Sequence, residues 1–312
     1  MDATFRNHCT VILNRESGAI VKLGPEKVAE GLRAIFESLG CKAEIQSVSG
    51  FEVQAALEEA RDSDSDSVIV GGGDGTVASA ATIFAGHQKP LGILPLGTFN
   101  LAARDVGMPL DWQEAARILV SAPVREVDLL ELDGKCYMCV VVLGFYPSLV
   151  MGQPEYHGSW LMKSIRTMWQ TLRSAATYPP LALRLNDGER TQTFRTRLAI
   201  LANNDYEDLF GVIPRRRSLS AGHFTVYVSK HLSRFGLLKT CITWILGRWK
   251  QDGEISMMRT TRLQIDVKRK SRISVMMDGE LAKIGLPFSV TLKPKALRAI
   301  CPRLAQEDKM ES

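Results

Sequence analysis

The segment Val68-Ile-Val-Gly-Gly-Gly-Asp-Gly-Thr-Val77 holds the residues whose types and order most directly suggest chemistry. An apolar strand runs into three glycines, and a helix is expected from Thr76 to Ala85. Glycine lets backbone approach a ligand closely. A helix start offers N–H groups and partial positive charge, which suit phosphate. The segment has neither the Gly-Lys-Ser/Thr of a Walker A loop nor a dinucleotide Gly-x-Gly-x-x-Gly. Asp74 is the informative member, because a carboxylate repels phosphate unless magnesium lies between them. A second element follows the same logic: strand Leu91 to Leu94, then Leu96-Gly-Thr-Phe-Asn100 and a short helix to Asp105. Gly97, Thr98 and Asn100 can supply donors to a nucleotide. Two strands ending in such turns put both loops at the carboxyl edge of an open sheet, where ligands of that architecture bind. A plain tight turn is the competing reading of the glycines alone.

The tripeptide Asp-Gly-Glu occurs three times, at 187–189, 252–254 and 278–280, and the first and last of these lie beside expected strands. Asp187-Gly188-Glu189 follows Asn186 between polar-flanked strands and reads as a surface hairpin. Asp278-Gly279-Glu280 follows the more apolar Ile273 to Met277. Asp-Gly also makes a good type I′ turn there, so local sequence leaves turn and site both open.

These residues need elements to position them. Through residue 128 strands alternate with helices: Thr10 to Leu13, Pro25 to Leu39, Ala43 to Val48, Val53 to Arg61, Val68 to Val70, then the two glycine turns, and Trp112 to Val120. That rhythm implies parallel βαβ units in one α/β sheet. From 129 to 312 the pattern turns β-rich, with expected strands Tyr137 to Leu143, Leu181 to Leu185, Phe194 to Leu201, Phe224 to Val228, Arg262 to Val267, Ile273 to Met277 and Phe288 to Leu292. An antiparallel sandwich or barrel is expected, and a return of the C-terminal segment to the first domain stays open. Two inserts, Trp160 to Ala176 and His231 to Trp249, have apolar residues at helical spacing with Trp beside Lys and Arg. They suit a lipid–water interface or caps on the β domain.

The 312 residues suffice for two domains without disulfides or a structural metal. With 45% hydrophobic and 23% charged residues, the chain is neither a low-complexity array nor a fibrous protein. Residues 1–128 carry 11 Lys/Arg against 18 Asp/Glu, net −7, while 129–312 carry 28 against 16, net +12. A basic back half suggests an anionic partner, with Arg215-Arg216-Arg217 as one candidate grip. Lys268-Arg269-Lys270 reads as an exposed hairpin turn. No aromatic-basic RNA motif or helix-turn-helix is evident, which speaks against nucleic acid. The first residues show no basic-then-apolar leader, and Cys136 to Pro154 is interrupted by Gly144, Pro147 and Gly152, so a cytoplasmic location is expected. Cys9, Cys41, Cys241 and Cys301 are isolated in sequence, and Cys136/Cys139 lack a second pair, so reduced buried thiols are expected rather than zinc ligands.

The ordered set, Gly-Gly-Asp-Gly-Thr (72 to 76) with Leu-Gly-Ile-Leu-Pro-Leu-Gly-Thr-x-Asn (91 to 100), resembles the diacylglycerol kinase catalytic-domain family, which includes bacterial lipid kinases and the sphingosine and ceramide kinases. Val11-Ile-Leu-Asn14 with Ser17-Gly18, and Asp278-Gly-Glu280 with Pro287 and Ala296 to Pro302, extend the likeness over nearly the whole chain. The resemblance implies an ATP-binding domain like those of NAD kinases and phosphofructokinases, a β-rich lipid-binding domain, and a site between them. It implies ATP and Mg²⁺ as cofactors, with Asn14, Gly18, Ser47, Gly72, Gly73, Asp74, Gly75, Thr76, Gly97, Thr98 and Asn100 on the nucleotide. Asp74 would serve the magnesium that accompanies ATP. Glu280 would be the general base, and Asp278 a second carboxylate near the magnesium or the acceptor. Ser47 is equally an ordinary strand-end serine.

The chain departs from the family at three places. Ala78 and Ser79 stand where many bacterial members have Asn-Glu, and Leu101 where many diacylglycerol kinases have Asp. Ser218 to Gly222 lacks the carboxylates of a structural magnesium loop, so that metal is expected to be absent. Acceptor identity is therefore open among diacylglycerol, ceramide, sphingoid bases and similar lipids. The leading reading is a lipid kinase working at an anionic membrane surface from the cytoplasmic side. A soluble-acceptor kinase of the NAD kinase type, or a non-catalytic nucleotide or lipid sensor, are the alternatives. A homodimer stays open.

Overall fold

The computed structural model describes residues 6–145, 178–206, 216–233, 236, 243 and 253–302. The insert 160–176, nearly all of 231–249, Arg215 and Cys241 lie outside the described residues. The chain divides into two compact units, residues 1–139 with 293–312, and residues 140–292. The first unit thus takes in the segment after 128 and the C-terminal stretch.

In the first unit four parallel strands are ordered β2 (Lys42–Val48), β1 (His8–Asn14), β3 (Ser67–Gly72), β4 (Leu91–Pro95). Registers pair Asn14 with Val48, Leu13 with Gly71, and Gly72 with Pro95, so the carboxyl ends of all four strands lie at one edge. β3 and β4 are buried throughout, as strands covered on both faces must be. The helices bury one stripe each: Val28, Leu32 and Phe36 of α2 (Pro25–Ser38), and Val53, Ala56, Leu57 and Ala60 of α3 (Val53–Asp62). α1 (Gly18–Leu23) precedes α2, whose first residue is Pro25, where a missing N–H costs nothing. α4 (Asp74–Phe84) follows β3 directly, and α5 (Leu101–Asp105) follows the second glycine turn. α6 (Trp112–Ser121) is capped by Asp111, which accepts from the Glu114 N–H at 2.8 Å. The buried Arg6 guanidinium donates to the Leu119 and Ala122 carbonyls at its end.

β5 (Val124–Leu132) and β6 (Lys135–Tyr137) form a hairpin, and the Cys136 N–H donates to Thr82 Oγ1 of α4 at 2.8 Å. This contact explains why the first unit extends to Cys139. Cys9 and Cys41, isolated in sequence, come within 3.7 Å as free buried thiols, because parallel pairing sets β1 beside the start of β2.

The second unit is an antiparallel β-sandwich. One sheet runs β12 (Ile255–Thr260), β11 (Phe224–Ser229), β10 (Leu198–Asn203), β7 (Val140–Gly144), β14 (Arg272–Met277), β15 (Glu280–Gly285). The other pairs β9 (Thr191–Thr196), β8 (Leu181–Asn186), β13 (Arg262–Val267) and the first residues of β16 (Phe288–Ile300). The last residues of β16 pair in parallel with β4 of the first unit. The expected single strand Phe194 to Leu201 breaks at Arg197, and its halves belong to different sheets. Thr196 fixes the break: its buried hydroxyl donates to Ser229 O at 2.6 Å and accepts from the Leu198 N–H at 3.0 Å. Gly144 (φ 114) lies against the Arg197 carbonyl, which any Cβ there would overlap. Lys268 to Lys270 is exposed, but it joins β13 of one sheet to β14 of the other and is not a hairpin. Among the described residues no helix is long and apolar enough to cross a membrane.

Candidate active site

The carboxyl edge of the first unit's sheet gathers most of the residues marked in the sequence. α4 begins at Asp74, two residues earlier than its composition suggests, because Gly73 is extended (φ −83, ψ 177) and serves as the N-cap. Asp74 therefore occupies the first turn, buried to 9% exposure. Its Oδ1 accepts from the Ala102 N–H of α5 at 3.2 Å, tying the first glycine turn to the second. Gly75 and Thr76 share that first turn, where N–H groups have no intrahelical carbonyl to meet.

The turns are braced from β1. Asn14 donates from Nδ2 to Thr76 Oγ1 at 2.9 Å and accepts at Oδ1 from the Glu16 N–H at 3.0 Å. Ser17 Oγ accepts from the Gly73 N–H at 3.2 Å. Asn100, left-handed at φ 52, folds its carboxamide back on its own turn: Oδ1 accepts from the Gly97 N–H at 2.8 Å, and Nδ2 donates to Gly97 O at 3.1 Å. Asn14 and Asn100 thus spend polar groups in shaping the loops, a role that residue type alone did not distinguish from ligand contact.

Close approach decides the residue at 97. A Cβ on Gly97 would overlap Gly73 Cα and stand 2.9 Å from Asn100 Oδ1. The two glycine turns therefore touch backbone to backbone, leaving a cradle that a side chain would fill. Gly18 and Thr98 meet at its mouth, both exposed, with Thr98 Oγ1 3.3 Å from where a Gly18 Cβ would stand. Ser47 is exposed near the end of β2, opposite Leu13 in register. Two participants lie outside the expected site residues, Ser17 and the Ala102 N–H. Ser17 carried a signal, lying in the turn just after β1, whereas the Ala102 N–H carried none.

The donor set fits a nucleotide phosphate chain: first-turn N–H groups of α4, a glycine cradle, and one carboxylate, Asp74, to carry a divalent cation.

In the second unit Asp278 (φ 47) and Gly279 (φ 92) form the two-residue turn between β14 and β15. The Asp278 carboxylate is buried, and its Oδ1 accepts from the Val140 N–H at 2.7 Å while its own N–H donates to Val140 O at 3.0 Å. It extends the sheet by one rung. Glu280, two residues on, is exposed. Asp187 of the 187–189 tripeptide accepts from the Arg190 and Glu189 N–H groups, which hold its carboxyl below the usual range in an exposed turn.

Near the Ser218 to Gly222 loop, Asp205 carries a dense set of partners. Arg259 donates from Nη2 to Oδ2 at 2.6 Å and from Nε to Oδ1 at 3.1 Å, and Thr225 donates to Oδ1 at 2.5 Å. Burial pushes this carboxyl up, but the Arg259 and Thr225 hydrogen bonds outweigh it and hold the pKa at about 2.

Both parts of the chain match known domains. Residues 8–132 match the diacylglycerol kinase catalytic domain, and residues 152–301 match the YegS C-terminal NAD kinase beta sandwich-like domain. The chain is 28% identical over 258 residues to the diacylglycerol kinase of Mycobacterium tuberculosis (strain CDC 1551 / Oshkosh), covering 76% of this chain and 77% of that protein. It is 32% identical over 109 residues to the probable lipid kinase YegS of Salmonella newport (strain SL254), covering 33% of this chain and 36% of that one. A solved diacylglycerol kinase structure from Bacillus anthracis str. Sterne shares the fold with a TM-score of 0.70 at 18% identity, covering 96% and 98% of the two chains. With both halves matched in order, the chain belongs to the diacylglycerol kinase catalytic-domain family of lipid kinases and is a kinase.

Proposed function

We propose that this kinase transfers the γ-phosphate of ATP to the hydroxyl of a membrane lipid such as diacylglycerol, ceramide or a sphingoid base. The observation that carries the reading is the backbone contact of Gly73 with Gly97 beside Asp74 in the first turn of α4. The N–H groups of Gly75 and Thr76, with Thr98, orient the phosphates. Asp74 would hold the magnesium, which when bound neutralises charge on the transferring group. Glu280 takes the proton of the lipid hydroxyl as its oxygen bonds to the γ-phosphorus. The bond from that phosphorus to the β,γ-bridging oxygen breaks, and ADP leaves.

Asp278 positions Glu280 by fixing the turn before it. The exposed Arg217, Lys268, Arg269, Lys270 and Arg272 support binding of the basic second unit to an anionic membrane, from the cytoplasm and at its inner face.

The test is phosphorylation by radiolabelled ATP of a vesicle panel holding diacylglycerol, monoacylglycerol, ceramide and sphingoid bases, with NAD as a soluble arm. Label in one lipid, lost in D74N, supports the reading. The carboxamide of that variant keeps an oxygen for the Ala102 N–H while losing the charge. Label in NAD, or in nothing, overturns it.

A further inference from the structure

Phe51 is 95% exposed, far beyond the other exposed apolar side chains of the first unit. It does not sit on a loose loop. The turn from Ser49 to Glu52 is closed by the Glu52 N–H on Ser49 O at 3.0 Å, and Glu52 Oε2 accepts from the Ser49 N–H at 2.9 Å and its hydroxyl at 2.6 Å. The Arg15 N–H bonds Val48 O at 2.9 Å, and a Cβ on Gly50 would stand 2.9 Å from Glu16 Oε2 and 3.9 Å from Asn14 Nδ2. This turn is therefore fastened to the same β1 loop that braces the glycine turns. A bare aromatic ring on a braced tip exposes apolar surface that the described residues leave uncovered.

Its position says what would cover it. Phe51 leaves the carboxyl end of β2, the phosphate cradle lies at the ends of β3 and β4, and β1 runs between β2 and β3. Adjacent strands are about 4.8 Å apart, so β2 stands about 10 Å from β3 along this edge. That is the order of a nucleotide's reach from its phosphates to its base. The surroundings favour a neutral ring over an anionic lipid surface: Glu16 and Glu52 flank the tip, with Arg15 4.0 Å from Glu52 as the one cation beside them among the described contacts, and residues 1–128 carry net −7.

We propose that Phe51 is the base platform of the nucleotide site, stacking on the adenine while the glycine turns hold the phosphates. The inference rests on the ATP reading above. In the full chain, F51A is expected to weaken ATP binding about tenfold while leaving inorganic tripolyphosphate binding unchanged. F51W should restore ATP affinity and add a tryptophan emission that ATP quenches and tripolyphosphate does not. Unchanged ATP affinity in F51A overturns the assignment, as does equal loss of ATP and tripolyphosphate. Loss of binding to phosphatidylglycerol vesicles with ATP affinity intact would make Phe51 a membrane wedge and also overturn it. A wild-type chain that binds no ATP would instead sink the kinase reading itself, so the two failures are distinguishable.

Discussion

The glycine edge of the first unit and the Asp278–Glu280 turn of the second differ in how tightly structure commits each motif residue. At the glycine edge nearly every member has a geometric duty: Gly97 has no room for a Cβ, Asn14 and Ser17 brace the first turn, and Asp74 ties α4 to α5. In the acidic tripeptide the duties separate within three residues. Asp278 is consumed by a sheet rung, and Glu280 is left exposed. A site built of backbone demands a sequence, whereas a site built of one projecting side chain demands only a turn to carry it.

The largest effect should come from the projecting carboxylate. E280Q is expected to lower kcat by about a hundredfold to ten-thousandfold, the worth of a general base, with the melting temperature unchanged. Calorimetry beside a lipid kinase assay checks both, and near-wild-type turnover would break the division of duties.

G97A should lose about a hundredfold of activity, because the new methyl forces the two turns apart. Titration with ATP would place that loss in nucleotide binding.

D278A, unlike E280Q, should lose about 2 kcal/mol of stability by leaving the buried Val140 N–H without this acceptor, with activity falling as the turn that carries Glu280 loosens. D278N, which keeps the acceptor and tolerates positive φ, should recover most of it in urea titrations.

The smallest effect concerns Asp205. Its folded pKa of about 2 lies below the ordinary 3.8, so its contribution is present above pH 3.8 and lost as pH falls toward 2. R259A should cost about 1 kcal/mol at neutral pH, since Arg259 is largely exposed, and should flatten the acid limb of the stability curve.

Periodicity carried the first unit well. α3 begins at Val53 and α6 at Trp112, as the apolar spacing requires, and β3 and β4 are the expected buried runs. The start of α4 was misplaced because glycines score poorly as helix formers, while the cap at Gly73 is set by tertiary contacts. In the second unit, sequence treated Phe194 to Leu201 as continuous, since nothing local announces that Thr196 will hydrogen-bond Ser229 across the fold. It missed β12 and β15 altogether, whose residues are nearly all part-buried or exposed and offer little periodic contrast. The glycine turns were legible because backbone geometry excludes other residues there. The task of Asp278 was not, because a type I′ turn and a catalytic loop favour the same letters.

β16 carries a consequence for synthesis. Its first residues complete a sheet of the second unit, and its last ones lie beside β4 in the first. Neither unit can finish its hydrogen-bond ladder until residues 288–300 clear the ribosome exit tunnel. Assembly of this enzyme therefore waits on a stretch translated long after β4, and premature stop codons just upstream of it should yield chaperone-bound fragments rather than a working half.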